Sequence, residues 1–158
     1  MALGNGKVWM DGQVQPLSAM GSSGDFLGWF HLRPPADGPA DEPELGYRLR
    51  RAVWGRGYGT EVSRALIDRA FAELGARRVF AQTYQDNVGS RRVMEKAGMT
   101  QVRTFRMSPE ELVAHHPHLA GTLTVWEGDD VEYAIAREQW ARQEAARREG
   151  TDAALRSA

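Results

Sequence analysis

The sequence predicts an α/β fold: a mixed, mostly antiparallel sheet flanked by helices. Two observations carry this. The segments alternate in the order strand, strand, helix, strand, helix, strand, strand, helix, which is a layered α/β arrangement. Their periodicity switches with them, from short aromatic and β-branched runs to apolar positions repeating at helical spacing, with Gly and Pro clusters between.

Residues 1–24 are rich in glycine and polar residues and weakly periodic, so they read as loop, with Lys7-Val8-Trp9 as a short strand. Residues 26–33, Phe-Leu-Gly-Trp-Phe-His-Leu-Arg, form a strand pattern rich in aromatics. Pro34, Pro35, Pro39 and Pro43, with Gly38 among them, require an exposed loop. Leu45-Gly46-Tyr47-Arg48-Leu49 then pairs with the preceding strand as a long-looped hairpin. Residues 60–74 make the clearest helix: Val62, Leu66, Ala70, Phe71 and Leu74 share one face, and Gly75 is placed to cap its end. Residues 78–83 read as a buried strand, 88–97 as a helix stopped by Gly98, and 100–107 as a strand.

Ser108 as N-cap and Pro109 at the first helical position start a short helix into Glu110-Glu111. Residues 115–128 are irregular, and 131–135 form the last strand. Residues 137–148 are a charged helix with Glu138–Arg142 and Glu144–Arg148 four apart, and the chain is expected to fray beyond Gly150. One domain over 1–150 and a frayed tail over 151–158 follow.

The 158 residues suit one domain with a modest core, and 42% hydrophobic with 26% charged residues is ordinary for a soluble globular chain. A net charge of −1 gives no electrostatic case for nucleic acid. The absence of cysteine excludes disulfides, thiolate nucleophiles and cysteine-ligated zinc. With no leader-like start and no membrane-length run, no membrane partner is expected and a cytoplasmic location is.

The stretch with most chemistry is Trp54-Gly55-Arg56-Gly57-Tyr58-Gly59-Thr60-Glu61, between a strand and the clearest helix. Alternate glycines allow a tight turn and bring backbone N–H groups close to a ligand. A helix start adds unpaired N–H groups and a positive dipole end, a site suited to a pyrophosphate. A Walker A loop is excluded because Thr60-Glu61 follows Gly59, and a dinucleotide fingerprint because the glycines are spaced G-x-G-x-G. Downstream, Asp86-Asn87-Val88-Gly89-Ser90-Arg91-Arg92-Val93-Met94-Glu95-Lys96-Ala97-Gly98-Met99 follows the strand ending at Thr83.

Together these two segments resemble the GCN5-related N-acetyltransferases (GNAT), most closely the branch of the ribosomal-protein alanine acetyltransferases. The matching positions are Trp54, Gly55, Gly57, Tyr58, Gly59, Thr60 and Glu61, then Asn87, Ser90, Val93, Glu95, Lys96 and Gly98. The resemblance extends from about Phe26 to Trp140. It implies a GNAT-like fold and an N-acetyltransferase that moves acetyl from acetyl-CoA, as co-substrate, to an amine by direct attack. The acceptor it implies is a protein N-terminus or a small-molecule amine, and no metal is called for.

Site residues follow from the resemblance. Arg56, Gly57, Tyr58, Gly59 and Thr60 are expected at the pyrophosphate. Leu49 and Arg50, on a strand that splays from its neighbour, are expected to bond the pantetheine arm through their backbones. Asn87 is expected near the cofactor, or as the N-cap of its helix, or both. Ser90 is similar to a serine that returns a proton to the departing sulfur, against the plainer reading of a helix-surface serine. Many relatives use a tyrosine for that step, at the position held here by Met94, which has no proton to give. Glu44 is the first choice of general base and His31 the second, against a solvated strand-end carboxylate.

His115, His116 and His118 read as a solvated loop, since zinc would need wider spacing and further ligands. Trp9, Trp29 and Trp126 are expected in the core or along an acceptor pocket.

Members of the family carry a strand and two helices before the hairpin, and residues 1–25 are too short to hold them. The N-terminal region is therefore expected to be shortened. A segment missing from the chain, a second copy supplying the wall as a homodimer, or a catalytically weak CoA-binding module of the same fold would each account for it.

Overall fold

The computed structural model describes residues 2–3, 17–20, 24–35, 37–108, 110–111 and 128–156. Seven strands form one sheet: β1 (Ala2–Leu3), β2 (Leu17–Met20), β3 (Phe26–Arg33), β4 (Glu44–Leu49), β5 (Arg78–Tyr84), β6 (Thr100–Phe105) and β7 (Asp130–Ala136). Their spatial order is β1-β2-β3-β4-β5-β7-β6. Three helices with described bounds accompany them, α1 (Tyr58–Ala72), α2 (Val88–Lys96) and α3 (Arg137–Arg156), and residues 110–111 are also helical, after Ser108 as expected. The expected mixed, mostly antiparallel sheet is present: every pairing is antiparallel except β4 with β5.

Alternation along β4 sorts its side chains onto two faces. Leu45, Tyr47 and Leu49 belong to or pack on the core under α1 and α2, while Glu44, Gly46 and Arg48 point the other way. The core sits between that helix-side face and the helices, with Phe30, Leu66, Ile67, Val79, Tyr133 and Ile135 almost fully enclosed. Phe71 stacks on Trp140 at 5.2 Å, and the Trp140 indole N–H donates to Asp68 at 2.7 Å, so α3 is tied to α1 by one ring. Gly75, with φ 69°, turns the chain out of α1, and the Ala76 N–H returns to the Ala70 carbonyl at 3.0 Å.

The structure corrects the sequence reading in two places. Residues expected as loop near the N-terminus include β1 and β2, and β2 extends the sheet by pairing Leu17 with Phe30 and Ala19 with Gly28. That pairing is long-range, and a strand built on a preformed edge needs little periodicity of its own. At the other end, α3 does not stop near Gly150 but continues to Arg156, with Thr151 Oγ1 donating to the Arg147 carbonyl. A single exposed glycine costs a helix only about 1 kcal/mol, less than is needed to end one among alanines. Lys7-Val8-Trp9, Trp126 and the histidines at 115, 116 and 118 lie outside the described residues. Among the described residues, no helix is long and apolar enough to cross a membrane.

Candidate functional site

β4 and β5 run parallel and pair only where Glu44 meets Phe80, with the Phe80 N–H donating to the Pro43 carbonyl at 3.2 Å. Toward Leu49 the strands part. On its other edge β4 is fully paired to β3, from Arg33↔Glu44 to Gly28↔Leu49. The Arg50 N–H donates to Leu27 at 2.9 Å, so by alternation the main-chain groups of Tyr47 and Leu49 face the split. This corrects the expectation for Arg50. Its N–H is used on β3, its carbonyl accepts from Val53 at 3.0 Å, and its guanidinium donates to the Phe26 carbonyl at 3.2 Å. Leu49 does face the split, and its carbonyl already accepts the Trp54 indole N–H at 3.0 Å.

A short 3-10 turn, Arg51–Val53, leads from β4 into the glycine loop. Gly55 and Gly57 have φ of 73° and 83°, the left-handed region that glycine enters without a Cβ penalty. Gly57 is the N-cap of α1 and has no side chain to offer, and among the described residues no side-chain cap is made at this start. Its carbonyl accepts the Glu61 N–H at 3.0 Å, the first internal bond of the helix. The N–H groups of Tyr58, Gly59 and Thr60 precede that bond. Gly59 is buried, and a Cβ there would lie 3.2 Å from Val93 and 3.4 Å from Leu49. Its hydrogen lets α1 close against the split and against α2. Arg56 is exposed. From this helix start a groove of about 550 Å³ runs past Gly57, Thr60, Glu61 and Arg64 to Lys96 at the end of α2.

α2 starts differently. The Asn87 side-chain oxygen accepts the Ser90 N–H at 3.1 Å, and its amide donates to Thr83 Oγ1 at 3.1 Å. Of its two expected roles, the structure shows the N-cap, made by the oxygen, while the amide nitrogen ties the cap to β5 through Thr83. Arg91 then ties α2 to the sheet, donating to the Tyr133 hydroxyl at 3.1 Å and to the Gln85 carbonyl at 3.0 Å. Ser90 is half-buried, and its Oγ lies 2.9 Å from the Tyr47 hydroxyl, which also donates to the Ser90 carbonyl at 3.1 Å. Sequence places Tyr47 only within a strand; the structure turns its side chain to the helix side and brings it to Ser90. Burial pushes the Tyr47 phenol up to about 12, with the Ser90 bond opposing. Met94 is 2% exposed and belongs to the core, so nothing at that position can serve as an acid.

The two candidate bases lie on the opposite face of the sheet. Arg33 donates to Glu44 through Nε and a terminal nitrogen at 3.1 and 3.0 Å, both to the same oxygen, Oε2. His31 stacks on Trp29 at 5.7 Å and lies over Gly46, where a Cβ would meet the imidazole at 2.2 Å. Burial, and then the Arg33 charge, hold His31 below its ordinary value, against a smaller upward effect of Glu44. Its Nε2 is shut from solvent and has no hydrogen-bond partner among the described residues. That nitrogen is placed less well than Glu44 to take a proton from a substrate. On the same face the sequence hid a buried carboxylate, Glu132 of β7. Burial pushes it up, but donations from Arg78, Gln82 and Arg103 outweigh this and hold it below the usual range. Among the described residues no three His, Asp or Glu side chains gather as a metal site.

Known proteins resemble this chain in sequence and in fold. The chain is 33% identical over 129 residues to the FsC-acetyl coenzyme A-N(2)-transacetylase of Aspergillus fumigatus, covering 78% of this chain and 51% of that one. It thus spans about half the length of the curated relatives it matches first. Among solved structures, an acetyltransferase of the GNAT family from Bacillus anthracis superposes with a TM-score of 0.63 at 22% identity, over 79% of this chain and 68% of that one. A spermidine N-acetyltransferase from Vibrio cholerae superposes with a TM-score of 0.63 at 10% identity, over 82% and 69%. At such identities these two show the fold alone. The Acetyltransferase (GNAT) domain profile matches residues 10–100, which include the split, the glycine loop and α2, and the chain belongs to that family.

Proposed function

We propose that this chain is an N-acetyltransferase that moves acetyl from acetyl-CoA to an amine by direct attack. The observation that carries the reading is the uncapped start of α1 beside the unpaired lip of β4. Unpaired N–H groups at a helix N-terminus suit a pyrophosphate. Main-chain groups of Tyr47 and Leu49 facing the split suit the amide-bearing arm of the same molecule, and the groove beyond the helix start, lined by Glu61 and Asp68 as well as Arg64 and Lys96, has room for its nucleotide end. Acetyl-CoA would supply the activated acyl group.

The chain's own groups would handle the protons. Both bonds from Arg33 go to Glu44 Oε2, which leaves Oε1 to receive the proton that the attacking amine loses. Ser90, at the start of α2, would return a proton to the departing sulfur, the step that Met94 cannot perform. Direct attack needs no enzyme nucleophile, in keeping with a chain that has no cysteine. The acceptor we propose is a small-molecule amine or a protein N-terminus. The Aspergillus relative, named for transfer to an N(2) nitrogen, favours the former, and the resemblance to the ribosomal-protein alanine branch favours the latter. A cytoplasmic setting, and a second copy completing the acceptor wall, belong to the same reading.

A second reading, a CoA-binding module without efficient catalysis, is favoured by the buried Met94 and by the ion pair on Glu44. The two separate on one experiment. Acetyl-CoA is titrated calorimetrically into the parent protein and into a Gly57→Glu, Gly59→Glu double variant. Thiol release is then followed with phenethylamine and with a peptide beginning in alanine. Binding lost in the variant together with amine-dependent release supports the enzyme. Binding without release supports the module, and no binding by the parent defeats both.

A further inference from the structure

We infer that Tyr47 is a positioning residue for Ser90, holding its hydroxyl across the split between β4 and β5. The inference rests on the acetyltransferase reading above and adds to it a residue on the opposite lip from the serine.

The geometry is unusual in where it lies. Beyond Glu44↔Phe80 no backbone pairing joins β4 to β5. Tyr47 stands on β4 past that point, and Ser90 stands on the helix that follows β5. Their hydrogen bonds therefore do from side chains what the missing ladder does not. Both partners are held from behind. The Tyr47 ring packs on Phe30 at 5.6 Å between centroids, and the Ser90 N–H is fixed by the Asn87 cap at 3.1 Å.

Proton counting gives the pair a function. Tyr47 has one hydroxyl hydrogen and two acceptors, the Ser90 carbonyl at 3.1 Å and Ser90 Oγ at 2.9 Å. When the hydrogen goes to the carbonyl, the 2.9 Å contact must use the serine hydrogen, which then points at Tyr47. When Tyr47 turns its hydrogen to Oγ, the serine hydrogen is released to point into the split. Both acceptors belong to one residue, so the change needs only rotation of a hydroxyl. In the second state the Ser90 O–H bond breaks, an S–H bond forms on the departing sulfur, and the Tyr47 donor stabilises charge developing on Oγ. Burial keeps the Tyr47 proton in place, with its phenol at about 12, so it donates a hydrogen bond without leaving as a proton. Solvent then gives a proton back to Ser90 Oγ and takes up the one Glu44 received from the amine, so the cycle closes with no net proton gained or lost by the protein.

The test uses the full chain as parent, Tyr47→Phe, Ser90→Ala and the double variant, each carrying tyrosine labelled with carbon-13 at Cζ where tyrosine remains. The resonance absent from Tyr47→Phe is that of Tyr47. We expect Tyr47→Phe to lower kcat for thiol release to phenethylamine or the alanine peptide by about 10- to 100-fold, at most the lower limit of a full general-acid contribution because Tyr47 acts through Ser90. Its CoA affinity by calorimetry should stay within about 2-fold of the parent, and it should add nothing to the loss already caused by Ser90→Ala, as for residues that act as one unit. The Tyr47 resonance should move on Ser90→Ala and on adding CoA. An unchanged kcat in Tyr47→Phe overturns the inference, as do losses that multiply in the double variant. So does a resonance that Ser90→Ala leaves in place. A parent that turns over neither amine defeats the acetyltransferase reading and overturns the Tyr47 role with it, whereas a parent that turns over while Tyr47→Phe keeps its kcat overturns the Tyr47 role alone.

Discussion

The two helices beside the split begin in opposite ways. α1 starts at Gly57, which has no side chain and leaves the first N–H groups without a side-chain cap. α2 starts at Asn87, whose side chain accepts from Ser90 and donates to Thr83. Both helices present a positive dipole end to the same region. One has no side chain spent on its first donors, and the other commits the Ser90 N–H to the Asn87 side chain, which holds Ser90 in place. The contrast separates binding from positioning: a site that must receive a charge is left uncapped, and a site that must hold a side chain still is capped from within.

The largest test is to close the open start. Gly57→Asp places a carboxylate where the N–H groups converge, in a backbone conformation that aspartate tolerates better than most residues. Like charge at close range near a surface is worth a few kcal/mol, so acetyl-CoA affinity by calorimetry should fall about 100-fold. Gly57→Asn, of the same size and uncharged, should cost much less. Equal losses would mean that shape, not charge, governs this loop.

Opening the closed start should act on stability first. Asn87→Ala removes the cap of α2 and should cost about 1 kcal/mol. In a chain of this length that is a fall in Tm of about 3 °C by thermal denaturation. An unchanged Tm would show that the Arg91–Tyr133 and Tyr47–Ser90 bonds hold α2 without it.

Neither cap titrates, so the acid-side loss of stability has to come from elsewhere; Glu132 contributes below pH 4.5, and between pH 7.5 and 5.5 His31 is the expected source. Its folded value lies below 6.5, so the unfolded chain takes up the proton first. The His31 contribution is therefore complete above pH 6.5 and is lost as pH falls from there through the folded value. Denaturant titrations at pH 7.5 and 5.5 should show a smaller difference in His31→Gln than in the parent. An unaltered difference would remove His31 as the cause.

The smallest effect is a control. Arg69 lies in the last turn of α1 and pairs with Glu73 in the open at 3.1 Å. Arg69→Gln should leave acetyl-CoA affinity within about 2-fold, because exposed pairs contribute little and the helix charge effect is local to its ends. A larger change would mean that net charge, not the helix start, attracts the ligand.

Much of this molecule follows from local sequence. The face of Val62, Leu66, Ala70 and Phe71, the glycines at 55, 57 and 59, the Asn87 cap and the strand patterns all express short-range physics: period, Cβ sterics and backbone hydrogen bonding. The two motifs, read together, were enough to point to the family. Tertiary structure decided what local patterns cannot encode. It joined β2 to the edge of β3, because strand pairing far apart in sequence depends on a surface that must first exist. It committed Arg50 to β3 and left Tyr47 and Leu49 facing the split, because a single register sets which alternate residues point outward. And it brought Tyr47 within 2.9 Å of Ser90, residues 43 apart in sequence, because β4 and β5 part where a side chain has to complete what the backbone leaves open.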